Sequence, residues 1–415
     1  MSPKGLFDGK KILLGVTGGI AAYKAAELAR LLMREGADVR VILTRGGARF
    51  VTPLTFQALT GNPVSTNLFD PGQEAGIGHI ALADWADLLL VAPATANVIA
   101  RLAMGMADDL LTTVALATRA PLVLAPAMNV HMFHHAAVQR NLKELVNAGA
   151  GIVAPAEGEM ACGHVGEGRL AETEDIADGA ARALSKQDLS GIGFLVTAGP
   201  TEEPIDPVRV ISNRSSGKMG YALARAAWRR GAEVTLVSGP VDPDLRAPRG
   251  MVVRSVQTAG EMRATVQEHY PKAAVVIMAA AVADWTPALA VDRKIKKGDA
   301  SLRLDLKRTE DILSKLGQAK GDRVLVGFAA ETDRVIANAR GKLTGKNLDL
   351  IVANDVTSEG AGFGVDTNQV TILERDGSVD TLPLLSKDGA ADAILDHVVA
   401  HLAPPAETPA SRRGS

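Results

Sequence analysis

Cysteine is almost absent from this sequence of 415 residues, and other scarcities narrow its class further. A single cysteine excludes an internal disulfide framework and suits a reducing compartment. Aromatic residues make up only 3% of the chain, which disfavours a stacking platform for nucleic-acid bases. A formal net charge of -2 provides no large field that would attract nucleic acid or an anionic membrane.

The sequence also lacks a long apolar segment. Its longest apolar run, residues 273–283, is far too short to cross a bilayer, and residues 1–5 contain no apolar signal. We therefore expect a cytoplasmic protein whose partners are small molecules, with no nucleic-acid or membrane partner. The length predicts about two or three domains, each large enough to bury a core.

What the chain does contain is an alternation of strand and helix patterns that occurs twice. Residues 10–20 have the pattern of a buried strand ending in a glycine turn, residues 21–35 of a helix, and residues 38–43 of a second strand. Residues 230–237 repeat the pattern of residues 35–42. The predicted fold class is α/β, with two Rossmann-like, doubly wound parallel-sheet domains in tandem.

A polar joint at residues 185–188 separates the two halves. We place the first domain at residues 1–186 and the second at residues 187–403. Residues 404–415 are rich in Pro, Ala, Ser and Arg, a composition typical of a disordered tail.

Polar loops follow two further strand patterns of the first half, at residues 87–92 and 121–125. Both loops start with proline, Pro93 and Pro126, which we expect to end the preceding strand. Ligands of open parallel sheets bind beyond the carboxyl ends of the strands. These loops and the turn at Gly18-Gly19 are therefore predicted to line a binding edge.

The first glycine turn does not have the pattern of a dinucleotide site. Gly15, Gly18 and Gly19 do not fit G-x-G-x-x-G, and Thr44-Arg45 stand where a ribose hydroxyl requires an acidic residue. NAD is therefore disfavoured. An anion or the phosphate of a mononucleotide remains compatible with the helix N-terminus that follows the turn.

Histidines occur at two points of the first half. His79 is predicted to begin an amphipathic helix, and a lone histidine is more often structural than catalytic. His131, His134 and His135 form a cluster, but no matching cysteine or acidic motif supports a metal site, so any metal ligands stay unknown.

The single cysteine, Cys162, lies in the glycine-rich stretch of residues 157–170. Its glycines disfavour a regular helix and predict a loop or short flap that carries one thiol, with Arg169 close behind. The alternative interpretation is a small apolar residue in a turn.

The second half contains a stretch, residues 212–220, that looks like a phosphate loop. A true P-loop has glycine where Ser212 stands and serine or threonine where Met219 stands. The hydroxyls and the lysine of this stretch nevertheless suit anion binding at the N-terminus of a helix, which we predict at residues 221–230. A basic loop at residues 293–298 and the carboxylate of Asp284 add the charges that polyphosphate and magnesium require.

Taken in order, the first-half motifs resemble the flavin-dependent cysteine decarboxylases, and most closely the phosphopantothenoylcysteine decarboxylases of coenzyme A biosynthesis. The resemblance covers about residues 10–184 and rests on residues 18–24, 44–50, 93–97, 126–132 and the stretch around Cys162. It implies that His79 acts in proton transfer, that Asn129 binds the substrate carboxylate, and that Cys162 is an acid or reductant. It further implies FMN as the cofactor, held by Gly18, Gly19, Ile20, Thr44, Ala94, Thr95 and Asn97.

The implied chemistry accounts for these residue types. Direct decarboxylation of a cysteinyl amide leaves an unstabilised carbanion, whereas prior oxidation of the thiol by a flavin lets sulfur delocalise the charge as an enethiolate. A thiol on a glycine flap is suited to closing over that species and excluding water. Two positions depart from the family pattern: Phe133 stands in place of tryptophan, and Asp109 in place of asparagine.

Residues 193–402 are similar to the phosphopantothenate–cysteine ligases. The similarity rests on residues 199–201, 212–220, 278–285, 294–297, 327–332 and 346–355. It implies a reaction with CTP and Mg²⁺ in which an acyl-cytidylate forms and the amine of cysteine then displaces CMP. It places Lys294 on the phosphates and Asn213 at the acyl-cytidylate. The residues implied around the nucleotide are Met278, Ala279, Ala280, Asp284, Asp311, Phe328, Lys342 and Lys346.

The leading hypothesis is a bifunctional enzyme that joins L-cysteine to 4'-phosphopantothenate and then decarboxylates the product to 4'-phosphopantetheine. The resemblance implies a homo-oligomer, with trimeric flavin domains and dimeric ligase domains. Three alternatives remain. An NAD-type oxidoreductase is disfavoured by Thr44-Arg45. A non-catalytic flavoprotein leaves His79, Asn129 and Cys162 unexplained, and a flavin prenyl-transfer enzyme leaves the ligase-like half unexplained.

Overall fold

The protein forms two compact units, residues 1–187 with 248–250, and residues 188–247 with 251–415. A computed structural model describes residues 5–69, 78–159, 163–296, 302–331, 334–355, 362 and 364–402. Each unit is built on its own sheet, parallel in the first and mostly parallel in the second, with helices on both faces.

In the first unit, strands and helices alternate as the sequence predicts. Its strands are β1 (Lys11–Val16), β2 (Asp38–Leu43), β3 (Val64–Ser65), β4 (Leu88–Ala94), β5 (Leu122–Pro126), β6 (Gly151–Ile152), β7 (Ala156–Glu159) and β8 (Val165–Arg169). Its helices are α1 (Lys24–Arg34), α2 (Pro53–Thr60), α3 (Gly78–Trp85), α4 (Ala96–Ala103), α5 (Leu110–Ala117), α6 (Val130–Phe133), α7 (Ala136–Asn147) and α8 (Thr173–Leu184), with 3-10 turns at Ile20–Tyr23 and Gly47–Arg49.

The main sheet of this unit has the strand order β3-β2-β1-β4-β5-β6, and all of its strands are parallel. This is the doubly wound order of Rossmann-like folds, in which the topological switch lies between the first and fourth strands. Apolar clusters cover both faces: one contains Leu14, Leu28 and Leu90, the other Leu13, Leu89 and Leu111. The carboxyl ends of β1 and β4 therefore lie side by side at the switch.

The prediction that proline ends the strand is wrong for Pro93, whereas β5 does end at Pro126. Strand β4 continues through Pro93 to Ala94, and β5 includes Pro126. Pro93 lies where the pairing register of β4 with β5 shifts between Val91 and Ala94. A proline, which lacks an N–H, is tolerated at such an irregularity because no regular ladder bond is lost there.

The second unit contains more and shorter elements. Its strands are β9 (Gly193–Ala198), β10 (Glu202–Pro204), β11 (Val210–Ser212), β12 (Glu233–Ser238), β13 (Val252–Ser255), β14 (Val275–Met278), β15 (Trp285–Pro287), β16 (Leu306–Arg308), β17 (Val324–Glu331), β18 (Leu350–Asp355), β19 (Thr367–Asn368), β20 (Val370–Glu374), β21 (Val379–Thr381) and β22 (Leu385–Ser386). Its helices are α9 (Lys218–Arg229), α10 (Ala259–His269), α11 (Ile312–Gln318), α12 (Val335–Gly345) and α13 (Lys387–Ala400), with a 3-10 turn at Tyr270–Lys272.

The main sheet of the second unit has the order β13-β12-β9-β14-β17-β18-β20-β21. Its first six strands are parallel and repeat the order of the first sheet, while β20 and β21 extend it in antiparallel fashion. Apolar clusters again cover both faces, one around Val196 and Ile277 and the other around Leu195 and Val276. The prediction of two tandem, doubly wound α/β domains is confirmed.

Two elements differ from expectation in detail. The apolar run at residues 273–283 forms a strand only over Val275–Met278, and after it Ala281 makes an isolated parallel bridge to Pro200. Helix α3 does begin beside His79, but Ile80 is exposed and only Leu82 and Ala83 are buried, so its amphipathic pattern is weak. Among the helices described, none is long and apolar enough to cross a membrane.

Candidate functional site

A cavity of about 880 Å³ lies at the carboxyl edge of the first sheet. It sits at the topological switch point, where ligands of doubly wound sheets bind. The predicted residues that line it are Gly18, Gly19, Ile20, Thr44, Thr95, Asn97 and Asn129. Ala94 is not among its lining residues and is fully buried at the end of β4, directly before Thr95.

A buried threonine fixes the two loops of the switch against each other. The hydroxyl of Thr17 donates to Pro93 O at 2.6 Å and accepts from Thr95 N at 3.3 Å. The Thr95 side chain in turn accepts from Val98 N and caps α4. The loops after β1 and β4 therefore hold Gly19 and Thr95 at a fixed separation beside the cavity.

Close backbone packing requires glycine at Gly18. A Cβ built there lies 2.9 Å from the backbone of Gly46, whereas one at Gly19 meets only Thr95 Cγ2 at 3.7 Å. The Thr44 hydroxyl accepts from Gly47 N at 3.1 Å and donates to Val16 O at 3.1 Å, which holds the loop after β2 in place. A helical segment begins at Ile20, so its N-terminus lies at the cavity.

Asn129 lies where the sheet edge meets a β-hairpin. Its Oδ1 accepts from His131 N at 2.9 Å and caps α6, while its Nδ2 lies 2.8 Å from Nδ1 of His164. The hairpin pairs β7 with β8 and corresponds to the glycine stretch predicted as a loop or flap. Gly158, Gly166 and Gly168 there have φ of 148°, 151° and 143°, conformations that favour glycine.

Charged side chains on the cavity wall form ion pairs. Lys24 Nζ and Arg169 Nη2 lie 3.4 Å and 2.5 Å from the two carboxylate oxygens of Glu172. Arg101 contacts Asp109 at 2.8 Å, and Asp109 also caps α5 through Thr112. Burial alone would raise the pKa of Asp109, but the hydrogen bonds from Thr112 and Arg101 outweigh it and lower that pKa.

The other sequence-predicted residues of this half lie elsewhere. His79 is half-buried in the first turn of α3 and is not among the lining residues of the cavity. Cys162 lies outside the described residues, so its role stays a prediction. The three clustered histidines have separate contacts: His131 with His164, His134 with Glu167 at 3.6 Å, and His135 with Ala137 N. The described part of the chain contains no group of histidine, cysteine and acidic side chains arranged to hold a metal ion.

The second unit has its own cavity, of about 530 Å³, at the corresponding edge of its sheet. The predicted residues that line it are Asn213, Met278, Ala279, Ala280, Asp284, Asp311, Phe328, Lys342 and Lys346. They come from the loop before α9, from the end of β14 and the loop after it, from β17, from the start of α11, and from α12 and the residue after it. Segments more than 100 residues apart in sequence thus converge on one site.

Asn213 connects the loop before α9 with the loop after β14. Its Nδ2 donates to Val282 O at 3.0 Å and to Ala281 O at 3.3 Å. Gly217 precedes α9 with φ of 75°, and a Cβ there meets Val241 Cγ1 at 2.5 Å. The N-terminus of α9 therefore lies on the cavity wall, as predicted for residues 212–220, although the helix begins at Lys218 rather than at residue 221.

Lysine and carboxylate side chains both lie on the wall of this cavity. Lys346 Nζ lies 2.8 Å from Asp311 Oδ2, and Ser314 N donates to Asp311 Oδ1 at 3.0 Å. Burial alone would raise the pKa of Asp311, but these two contacts outweigh it and lower that pKa. Asp311 therefore remains an anion at neutral pH and holds Lys346 at the cavity.

Lys294 is not among the lining residues. It is exposed in the loop after β15, beside Ile295, whose backbone is held to the buried Asp206 by a hydrogen bond of 3.1 Å. The stretches singled out from the sequence contain Lys24, Arg169 and Lys218, which also line the cavities, but sequence reasoning missed Arg101 in the first unit and Asn368 and Lys387 in the second. No local motif identifies them, because their place at the sites depends on contacts between segments distant in sequence.

Comparison with known proteins identifies the same two parts. Residues 2–185 match the Flavoprotein family, and residues 189–402 match the DNA/pantothenate metabolism flavoprotein C-terminal domain. The coenzyme A biosynthesis bifunctional protein CoaBC of Bacillus subtilis is 51% identical over 399 residues, which are 95% of this chain and 98% of that protein. The protein of the same name from Escherichia coli K12 is 48% identical over 397 residues, 94% and 97% of the two chains.

A solved C-terminal domain of a CoaBC protein is 43% identical to this chain, with a TM-score of 0.45, and covers 52% of this chain and 97% of that domain. Relatives that match over nearly their whole length at 51% and 48% identity do not favour the alternative interpretations as an NAD-type oxidoreductase or a non-catalytic flavoprotein. The chain belongs to the family of the bifunctional coenzyme A biosynthesis proteins, the family that the motifs of its two halves predict.

Proposed function

We propose that the protein joins L-cysteine to 4'-phosphopantothenate with CTP in residues 187–403 and decarboxylates the product to 4'-phosphopantetheine with FMN in residues 1–186. The observation that carries the proposal is the presence of two cavities, one at the switch point of each sheet, each lined by many of the residues that the matching resemblance implies. Full-length relatives named for coenzyme A biosynthesis support both activities.

The first cavity has features that fit a flavin mononucleotide. The turn at Gly18-Gly19 and the helix that starts at Ile20 offer backbone N–H groups for one phosphate. Ile20, Tyr23 and Met132 line the cavity and are 61%, 56% and 49% exposed, so a flat aromatic ring has apolar surface to cover. When bound, the flavin supplies the two-electron oxidation of the substrate thiol that makes loss of carbon dioxide feasible.

The chain's own groups orient the substrate beside that ring. The Asn129 amide is held at the cavity by contacts at both ends, so we assign it the substrate carboxylate. The hairpin of β7 and β8 contacts Asn129 through His164, two residues after Cys162 in sequence. We assign Cys162 as the acid or reductant of this site and His79 as a proton-transfer group.

In the second cavity, the charges suit a nucleoside triphosphate. Lys342 and Lys346 lie on its wall with the N-terminus of α9, and Asp284 and Asp311 provide carboxylates. Phosphates are stabilised by such cations and by backbone N–H groups, and carboxylates help to hold Mg²⁺. Lys294, on its exposed loop, is assigned to the phosphates, and Asn213 to the acyl-cytidylate.

The remaining elements of the proposal concern assembly and location. We propose a cytoplasmic homo-oligomer in which the flavin domains form trimers and the ligase domains form dimers. Residues 404–415, which lie outside the described part, are assigned as a disordered tail on composition alone.

One experiment tests both activities. The purified protein is expected to be yellow and to release CMP and CO2 from phosphopantothenate, cysteine and CTP, measured by absorbance and by product chromatography. ATP offered in place of CTP tests the choice of nucleotide. A colourless protein contradicts the proposal. So does a protein that releases no pyrophosphate when phosphopantothenate, cysteine and CTP are all present.

The Cys162→Ser variant tests the thiol. It is expected to accumulate the oxidised enethiol product while CMP release continues unchanged, because the ligase cavity lies in the other unit. Val165→Ala, a neighbouring change at a side chain that is 75% exposed, serves as the control and should give normal phosphopantetheine. Normal phosphopantetheine output from Cys162→Ser would disprove the role assigned to the thiol.

A further inference from the structure

The hairpin of β7 and β8 lies against residues 128–134. Met128 N donates to Gly168 O at 2.9 Å, so the second strand of the hairpin runs close to this segment. A Cβ built at Gly166 would lie 2.9 Å from Val130 Cγ2, which leaves no room for a side chain at that position. Glycine there brings the strand near enough for the side chain at its start to reach the segment.

His164, directly before β8, makes that contact. Its Nδ1 lies 2.8 Å from Asn129 Nδ2, and its ring meets that of His131 edge-on at a centroid distance of 5.2 Å. Asn129 lines the first cavity, whereas His164 is not among the lining residues. We therefore expect His164 to act on a ligand of this cavity through Asn129.

The backbone determines which atom donates in the contact of His164 with Asn129. His131 N, a backbone N–H, can only donate, and it lies 2.9 Å from Asn129 Oδ1. The other end of the amide is therefore its nitrogen, which can also only donate. His164 Nδ1 has to be the acceptor, so the ring is neutral and carries its proton on Nε2.

Both contacts of Asn129 select the same orientation of its amide. A terminal amide can turn about its last bond, which exchanges the places of oxygen and nitrogen. The turned amide of Asn129 would set its NH2 group against His131 N–H and its oxygen against the lone pair of His164 Nδ1. A carboxylate is bound by N–H donors and repelled by a carbonyl oxygen, so this orientation decides whether Asn129 suits a carboxylate.

We propose that neutral His164 is a positioning residue of the decarboxylase site. By accepting a hydrogen bond from Asn129 Nδ2, it keeps that amide turned so that the nitrogen, and not the oxygen, meets the substrate carboxylate. This inference rests on the proposed decarboxylase function, and on the role assigned there to Asn129, and deepens it. His164 itself touches none of the reacting atoms.

Protonation would reverse the contact. An imidazolium has an N–H on both nitrogens and no acceptor, so protonated His164 would oppose Asn129 Nδ2 and favour the turned amide. His164 is exposed to solvent, and imidazoles generally take up a proton between about pH 8 and pH 5. The ion pair of His134 with Glu167, at 3.6 Å, responds in the opposite way, because it strengthens when His134 is protonated. Among the described residues, the hairpin and residues 128–135 also carry Glu157, Glu159, Arg169, His131 and His135.

The test uses the full-length protein with phosphopantothenoylcysteine as substrate and CO2 release as the measurement. At pH 8, the His164→Leu variant is expected to raise the KM for this substrate about 5-fold, as for loss of one hydrogen bond. Its kcat should stay within about 2-fold of wild type, because the lost contact acts on a bound group before and during the reaction alike. Flavin absorbance per protein should equal that of wild type.

The His164→Asn variant separates positioning from a general structural role. Asparagine Oδ1 is bonded to Cγ, as Nδ1 of histidine is, so it supplies an acceptor at nearly the same point that does not titrate in this range. The variant is expected to have the wild-type KM at pH 8. As the pH falls to 5, the KM of wild type should rise relative to that of His164→Asn, and this ratio removes any titration of the substrate itself.

His135→Asn is the matched control. His135 Nδ1 accepts from Ala137 N at 3.2 Å and caps α7, a role that asparagine also fills. This variant should keep both the wild-type KM and its dependence on pH.

Several outcomes would overturn the inference. An unchanged KM in His164→Leu would show that the contact does not position the amide, and loss of flavin from that variant would show a structural role instead. A wild-type KM that falls towards pH 5, with the fall absent from His164→Asn, would mean that protonated His164 binds the carboxylate directly. Absence of CO2 release from the wild-type protein would instead contradict the decarboxylase function itself, and with it this inference.

Discussion

The two cavities lie at the same point of two sheets that share one strand order, yet their walls differ. Three bulky apolar side chains, Ile20, Tyr23 and Met132, stand about half exposed at the first cavity. The second cavity has alanines at Ala279 and Ala280 and a set of lysines. The fold therefore fixes where a ligand binds, and the loops after the strands decide which ligand chemistry is accepted.

Both sites also require a glycine in the turn before a helical segment, but for different reasons. At Gly18 the constraint is a backbone neighbour, Gly46, at 2.9 Å from the position of a Cβ. At Gly217 the φ of 75° itself favours glycine, and Val241 leaves no room for a side chain. Similar glycine turns thus meet different physical requirements and respond to different substitutions.

The largest expected effect comes from Gly18→Ala. The added methyl group forces the loops after β1 and β2 apart, so FMN affinity should fall by about 100-fold while pyrophosphate release stays normal. Gly19→Ala, which meets only a methyl group at 3.7 Å, should have a much smaller effect. Flavin fluorescence titration measures both, and equal losses would show that close packing at Gly46 is not the cause.

A smaller effect, confined to the other unit, is expected from Lys342→Met. Loss of one charge-assisted contact to a phosphate should raise the KM for CTP about 10-fold and leave the flavin spectrum unchanged. Lys272→Met removes an exposed lysine away from the cavity and serves as the control. If both variants change the KM for CTP equally, general electrostatic attraction rather than a specific contact is responsible.

The smallest effect is expected from Asp109→Asn, which restores the residue typical of the family. Asparagine keeps the cap of α5 but loses the ion pair with Arg101, so the melting temperature at pH 7 should fall by less than about 3 °C. The pKa of Asp109 is lowered by folding, so its contribution is present above the unfolded pKa of about 3.9 and is lost as the pH falls through the folded value.

The difference in melting temperature between wild type and Asp109→Asn should therefore stay constant above about pH 4 and shrink over the range from about pH 4 to pH 2. Thermal unfolding followed by circular dichroism provides the measurement. A difference that stays constant over this range would indicate that the carboxylate charge makes no contribution.

Much of the fold and part of each site could be predicted from the sequence. Residues 38–43 are predicted as a strand with the same bounds as β2, because a short apolar run with glycines before and after it can be recognised from neighbouring residues alone. Thr95 and Asn129 were found because they follow strands that end at one sheet edge. Arg101, Lys387 and Asn368 could not be found, since their place at a cavity depends on packing between segments distant in sequence.

The short outer strands of the first sheet have a consequence for how copies of this unit associate. β3 and β6 contain two residues each, Val64–Ser65 and Gly151–Ile152. An edge of two residues offers too few unpaired N–H and C=O groups to add a strand from another chain, which protects against aggregation by edge pairing. Pairing across the edges of the main sheet is therefore disfavoured as a way to join copies of this unit, and variants at β3 and β6 should leave its stoichiometry unchanged.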